Sequence, residues 1–87
     1  MFYVYVLKSK KDNKLYIGFT SDLKRRLAEH EKGKTNSTKL RLPLDLVYYE
    51  AHKSEADARR REKYFKTSKG KSSLKQMLRD SLISDEI

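Results

Sequence analysis

The first twenty residues consist of two apolar runs separated by a polar turn. Residues 2–7 are all β-branched, aromatic or aliphatic, which favours a strand that is buried on both faces. The polar stretch at 10–14 is typical of a hairpin turn. Residues 15–20 predict the second strand, in which apolar side chains occupy one face and Tyr16, Gly18 and Thr20 occupy the other.

The register of this hairpin decides how close its two central tyrosines come. If the loop holds an even number of residues, we expect Tyr5 and Tyr16 to point to the same face. The expected register pairs Tyr16 with Ser9, which puts Tyr16 about 13 Å along the strand from Tyr5. A bulge or a strong twist would then be needed to bring both hydroxyls to one point.

Helical periodicity and capping residues predict the elements that follow. A first helix is expected over residues 22–32, with Asp22 at its positive end and Gly33 as its stop. After a polar loop, residues 44–51 predict a third strand. Ser54 begins a capping-box variant that opens a second helix, which runs to about residue 68 before a break at Gly70. A third helix is indicated by an apolar stripe at Leu74, Met77, Leu78 and Leu82.

The order β-β-α-β-α-α predicts an α+β fold with a small, three-stranded, mainly antiparallel sheet flanked by three helices. At 87 residues the chain suits one domain, expected over residues 1–83, while residues 84–87 are expected to fray. The absence of cysteine excludes disulfides and Cys-based zinc sites. The apolar run at 2–7 is too short for a signal peptide or membrane span, so we expect a cytoplasmic protein with no membrane association.

A strong positive charge indicates a polyanionic partner. All 21 lysines and arginines but only nine of the 12 acidic residues fall within residues 1–79, so this part carries a net charge of +12. Nucleic acid is the partner that this charge favours most, and a membrane surface is the second. A basic surface that is merely solvated stays open as the alternative.

Two helices carry ionisable residues on faces that should be buried. In the first helix, Leu23 and Leu27 define the inward face; Arg26 lies at its edge, His30 falls between them, and Arg25 points away. An arginine whose aliphatic stem covers the core and a hydrogen-bonded core histidine would also explain this pattern.

The second helix places an acid among its apolar positions. Ala58 and Phe65 mark its buried face, with Glu62 near the centre of that face. A buried carboxylate needs a partner, which is either an arginine such as Arg26 or a hard metal such as Mg²⁺.

The chain resembles the GIY-YIG nuclease superfamily through an ordered set of residues. Tyr3-Val4-Tyr5 stands in the first strand, Tyr16-Ile17-Gly18 in the second, Arg26 ten residues later and Glu62 on a later helix. The resemblance covers about residues 2–69. It is closest to small stand-alone members related to the amino-terminal nuclease domain of the excision-repair C subunit, which implies a role in DNA repair.

The resemblance implies a metal-dependent DNA endonuclease using Mg²⁺ or Mn²⁺, with little sequence specificity of its own. It assigns Tyr5, Tyr16, Arg26 and His30 to catalysis, and Gly18 would leave room beside the tyrosines. One tyrosine would handle the proton of the attacking water, and His30 would orient or deprotonate the nucleophile. Arg26 would stabilise the phosphate. Glu62 would bind the metal, and three loop residues would contact backbone phosphates: Thr38, Lys39 and Arg41.

The chain departs from the family pattern at two positions. Tyr3 stands where the family name has Gly, and Phe19 follows Gly18 where some members have Lys. We expect no appended DNA-binding domain, which leaves target choice open and allows a protein partner for targeting. The sequence is also compatible with two other functions. The chain could be a non-catalytic nucleic-acid-binding module on the same scaffold, or a small interaction subunit.

Overall fold

A three-stranded antiparallel sheet forms the centre of the computed structural model, which describes residues 1–83. The strands are β1 (Phe2–Ser9), β2 (Leu15–Thr20) and β3 (Leu44–His52), in the spatial order β2-β1-β3. The most apolar run thus becomes the central strand, and its residues 4–9 are all buried. The prediction of a strand buried on both faces is confirmed.

The register between β1 and β2 differs from the expected one. Tyr5 pairs with Gly18, and Leu7 pairs with Tyr16, so Tyr16 is a diagonal neighbour of Tyr5 on the same face. The pairing of Tyr16 with Ser9 is therefore wrong. No bulge is needed in this hairpin; the register shift that the sheet contains lies between Val6 and Leu7 on the β1–β3 side.

Four α-helices and one short 3₁₀ segment (Lys39–Arg41) complete the described fold. The helices are α1 (Leu23–Glu31), α2 (Glu55–Phe65), α3 (Ser68–Met77) and α4 (Arg79–Ile83). Asp22 and Ser54 cap α1 and α2 through their side chains, as the sequence predicts. The predicted α+β class and element order are confirmed, with the last predicted helix divided at Leu78 into α3 and α4.

The hydrophobic core lies between one face of the sheet and the helices α2, α3 and α4. Ala58 and Phe65 are fully buried, which confirms the predicted inward face of α2. The core cluster consists of Val4, Val6, Ala58, Phe65, Leu74 and Leu78.

Gly70 does not break the chain where the sequence predicted a break. The helix α2 ends at Phe65, Thr67 caps α3 by accepting a hydrogen bond from the Gly70 amide, and Gly70 lies within the first turn of α3. A Cβ atom at Gly70 would lie 1.9 Å from the carbonyl oxygen of Tyr64. Glycine is required here because α2 and α3 approach closely, and not because the backbone turns.

The opposite face of the sheet is covered by α1. His30 of α1 hydrogen-bonds to Tyr5, and Leu27 lines two cavities together with sheet residues that include Tyr3 and Leu7. Within residues 1–83, no helix combines the length and hydrophobicity required to cross a bilayer. The fraying expected for residues 84–87 concerns residues outside the described part of the chain.

Candidate active site

A cavity of about 600 Å³ brings together seven of the nine site residues that the sequence singled out, all except Lys39 and Arg41. Residues from both faces of β2 line it, so it extends around the outer edge of that strand. At this edge, α1 on one face of the sheet and α2 on the other can contribute to a single site. The lining includes Tyr5, Tyr16, Gly18, Arg26, His30, Thr38 and Glu62.

The ring of Tyr5 lies across Gly18, its partner on β2. A Cβ atom built on Gly18 would approach the Cζ and hydroxyl oxygen of Tyr5 to 2.3 Å. Any side chain at position 18 would therefore displace the Tyr5 ring. The pairing of these two residues in the sheet register explains why glycine stands in this strand.

The hydroxyl of Tyr5 is the centre of a hydrogen-bond network. The Arg26 guanidinium donates to it from Nε over 3.3 Å, and Nε2 of His30 lies 2.9 Å away. Burial raises the pKa of Tyr5, and the hydrogen bond and charge of Arg26 partly oppose this. Tyr5 consequently keeps its proton at neutral pH.

His30 is buried between Tyr5 and the loop that follows α1. Its Nδ1 lies 2.7 Å from the hydroxyl oxygen of Thr38, so both ring nitrogens have partners. Burial, followed by the positive charge of Arg26, lowers the pKa of His30. The ring is therefore neutral at pH 7, with one nitrogen donating and the other accepting.

Arg26 and Arg25 share an ion-pair partner but face different surroundings. Both contact Glu29, Arg26 at 3.1 Å and Arg25 at 3.4 Å. The Arg25 side chain is 76% exposed, whereas that of Arg26 is 38% exposed and reaches Tyr5. The helical-face argument places the two arginines correctly.

Glu62 lies at the cavity wall with its side chain 20% exposed. Its Oε2 atom accepts a hydrogen bond from Nζ of Lys66 over 3.0 Å. Arg26, the arginine considered as a partner on sequence grounds, pairs with Glu29 instead. The cation beside Glu62 is thus Lys66, the C-cap residue of α2, four residues further along the chain.

The three loop residues expected to contact phosphates occupy different environments. Thr38 is 1% exposed and lies against His30, a position that suits support of the imidazole better than contact with a surface ligand. Lys39 is exposed, and Arg41 forms an ion pair with Asp12 at 3.0 Å. Contact with phosphates stays a prediction for Lys39 and Arg41.

Sequence reasoning missed three lysines of the cavity: Lys14, Lys66 and Lys71. Lys66 could have been found, because residues four apart share a helix face and Glu62 had already been identified as unusual. Lys14 in the hairpin turn and Lys71 on α3 had no such signal. They reach the cavity only through the tertiary arrangement.

Comparison with known proteins identifies the family. Residues 1–76 match the model of the GIY-YIG catalytic domain. The chain belongs to the GIY-YIG family. Membership makes it part of a nuclease family whose substrate is DNA and whose members generally depend on divalent metals.

Two small bacterial proteins are similar to this chain along most of its length. It is 43% identical over 76 residues to a UPF0213 protein of Staphylococcus haemolyticus, covering 86% of this chain and 92% of that protein. It is 46% identical over 71 residues to a UPF0213 protein of Streptococcus pyogenes, covering 80% and 76% of the two chains. The resemblance to a small stand-alone GIY-YIG protein is confirmed.

A solved structure supports the same assignment. The solution NMR structure of a UPF0213 protein from Bacillus halodurans is 36% identical in sequence, with a TM-score of 0.57. The match covers 88% of this chain and 85% of that one. These comparisons show the family and the fold, and the names of the relatives state no activity.

Proposed function

We propose that this protein is a divalent-metal-dependent endonuclease that hydrolyses phosphodiester bonds in DNA, with little sequence specificity of its own. The observation that supports this most directly is the common cavity of two tyrosines, an arginine, a histidine and a carboxylate. These residues come from both faces of the sheet and from sequence positions as far apart as Tyr5 and Glu62. A basic domain then supplies general attraction to the phosphate backbone.

The donor set fits a metal held partly by the substrate. Within residues 1–83 there is no group of three or more His, Asp or Glu side chains that could hold a metal on its own. Lys66 donates its hydrogen bond to Oε2 of Glu62, and Oε1 can then bind a hard cation. Mg²⁺ commonly binds through one or two carboxylates, with water and phosphate oxygens completing its shell. When bound, it would act as a Lewis acid at the phosphate.

The remaining roles belong to the chain's own side chains. Arg26 lines the cavity with its side chain 38% exposed, so it can stabilise negative charge that develops on a bound phosphate. Tyr5 and Tyr16 both line the cavity, and one of the two tyrosines would handle the proton of the attacking water. His30 is neutral and fixes the position of Tyr5.

A second candidate function is that of a DNA-binding module without catalysis. The observation in its favour is the ion pair between Glu62 and Lys66, because an internal cation already neutralises the carboxylate that a metal would need. In that case the basic residues of the cavity would bind a DNA phosphate, and the protein would not cleave the DNA.

The test is a cleavage assay on pure protein with nicked, branched, single-stranded and plain duplex DNA, in Mg²⁺, Mn²⁺ or EDTA. Glu62→Gln keeps the side-chain shape but removes the charge that holds a hard cation. Glu55→Gln is the matched control, because Glu55 also forms an i,i+4 ion pair on α2 but lies outside the cavity. Manganese binding by both variants is measured without DNA.

The proposal expects metal-dependent cutting by the wild type and by Glu55→Gln, and a loss of cutting by orders of magnitude in Glu62→Gln. Glu62→Gln should also bind Mn²⁺ more weakly while still binding DNA. Its melting temperature should stay near that of the wild type, because a partly exposed ion pair contributes only about 0–1 kcal/mol. DNA binding without cutting in any metal would instead support the non-catalytic module.

A further inference from the structure

Thr38 occupies a position that its local structure does not explain. It is the N-cap residue of the 3₁₀ segment Lys39–Arg41, yet its side chain makes no capping hydrogen bond. Its hydroxyl oxygen instead lies 2.7 Å from Nδ1 of His30. Both residues are buried, Thr38 at 1% and His30 at 5% exposure, so their hydrogen bonds must be satisfied within the protein.

Two proton arrangements are compatible with the distances around His30. In the first, the Thr38 hydroxyl donates to Nδ1, and Nε2–H donates to the Tyr5 oxygen. In the second, Tyr5 donates its proton to Nε2, and Nδ1–H donates to Thr38. The two arrangements differ in the imidazole tautomer and in the direction of the Tyr5 proton.

Hydrogen-bond accounting favours the first arrangement. Among residues 1–83, the hydrogen-bond partner of the Thr38 hydroxyl is His30 Nδ1, so the second arrangement leaves the Thr38 proton without a protein acceptor, whereas the first leaves the Tyr5 proton without one. Thr38 is the more deeply buried of the two residues, at 1% against 3% exposure, so its proton is the costlier one to leave unpaired. In the first arrangement Thr38 donates its hydroxyl proton to Nδ1 of His30. The Tyr5 oxygen then accepts from both His30 and Arg26, and its own proton is free to point into the cavity that Tyr5 lines.

We propose that Thr38 is a positioning residue that holds His30 in the Nε2–H tautomer and so directs the hydroxyl proton of Tyr5 toward the bound phosphate. His30 then acts on Tyr5 as a hydrogen-bond donor and not as a base. The catalytic consequence rests on the proposed nuclease function. The tautomer itself does not, because it is a property of the free protein.

The test compares wild type, Thr38→Val and Thr38→Ser by ¹⁵N NMR of the His30 ring without DNA or metal. Valine keeps the shape of threonine and removes the hydroxyl, whereas serine keeps the hydroxyl. The wild type and Thr38→Ser should show protonated Nε2 and unprotonated Nδ1. Thr38→Val should shift the ratio of tautomers toward Nδ1–H roughly three- to tenfold, as expected for the loss of one neutral hydrogen bond.

Cleavage kinetics provide the second readout. Thr38→Val should lower kcat roughly three- to tenfold with KM unchanged, and Thr38→Ser should restore most of the loss. An Nδ1–H tautomer in the wild type overturns the proposal, even if the valine variant does not fold. The proposal is also overturned if Thr38→Val cuts DNA more slowly while the ¹⁵N chemical shifts of its His30 ring equal those of the wild type. That result would assign Thr38 a packing role. If the wild type cuts no DNA, the nuclease function fails, and the ring shifts still decide the tautomer.

Discussion

Arg26 donates a hydrogen bond from Nε to the hydroxyl of Tyr5 over 3.3 Å, although 21 residues separate the two in the chain. This contact joins α1 to the central strand at the edge of the cavity. It positions the guanidinium, while the Arg26 side chain stays 38% exposed in the lining of the cavity. Arg25, one residue earlier, makes no such contact among the described residues and is mostly exposed.

We expect Arg26→Ala to lower kcat at least 100- to 1,000-fold, the cost of removing one donor to developing negative charge. Arg25→Ala should change kcat by less than about threefold and weaken DNA binding modestly. The two variants are matched, because each removes an ion pair with Glu29. Single-turnover cleavage measures both, and equal losses would refute the assignment of the site to one face of α1.

The position of Arg26 could be predicted because helical periodicity is local. The hairpin register could not, because it depends on how the turn closes. Ser9 donates its amide to the carbonyl of Lys14 and accepts from the amide of Asn13, which has a positive φ of 61°. These bonds shift the pairing of β1 with β2 by two residues from the expected register. Tyr16 therefore pairs with Leu7 and not with Ser9, and it becomes a diagonal neighbour of Tyr5.

The contact between Thr38 and His30 was also beyond sequence reasoning. It spans an irregular loop whose path no periodicity describes. The same holds for Lys71, which reaches the cavity because α3 packs closely on α2 at Gly70. Element order and buried faces follow from local pattern, whereas the partners of individual polar atoms follow from tertiary packing.

Lys66 should compete with a metal for Glu62, because its Nζ lies 3.0 Å from Oε2. We expect Lys66→Ala to raise the Mn²⁺ affinity of the DNA-free protein roughly two- to fivefold, the range of one partly exposed ion pair. Lys63→Ala on the same helix removes the same charge away from the cavity and controls for net charge. Calorimetric titration measures the affinities, and an equal response of the two variants would show that Lys66 does not shield the carboxylate.

DNA binding should depend steeply on salt because four cations line the cavity: Lys14, Arg26, Lys66 and Lys71. With four to six phosphates neutralised, the slope of log affinity against log salt should be about −3.5 to −5.5. Lys71→Ala should reduce the magnitude of this slope by about one. Lys75→Ala is the control, since Lys75 lies one turn further along α3 and outside the cavity lining. A slope of log affinity against log salt that is shallower than about −1 would contradict this prediction. The positive charge would then make the surface soluble without binding phosphates.

His30 should make the stability of the protein fall as the solution becomes acidic. Burial and the charge of Arg26 lower the pKa of His30 in the folded protein, while Glu29 opposes them weakly. The unfolded chain, with a histidine pKa of about 6.5, therefore binds the proton more readily than the folded one. The stabilising contribution is complete above pH 6.5 and is lost progressively as the pH falls below that value toward the folded pKa.

Urea unfolding between pH 5.5 and 7.5 measures this effect, and NMR titration of the His30 ring gives the folded pKa directly. The wild type should lose stability over this range, and His30→Gln should show a flatter profile because its side chain does not ionise. The Tyr5 hydroxyl and the Thr38 hydroxyl face the ring from the sheet and the loop, and neither charges in this range to mask the effect. A His30 pKa at or above 6.5 in the folded protein, or profiles of equal slope, would contradict a neutral buried imidazole beside Arg26.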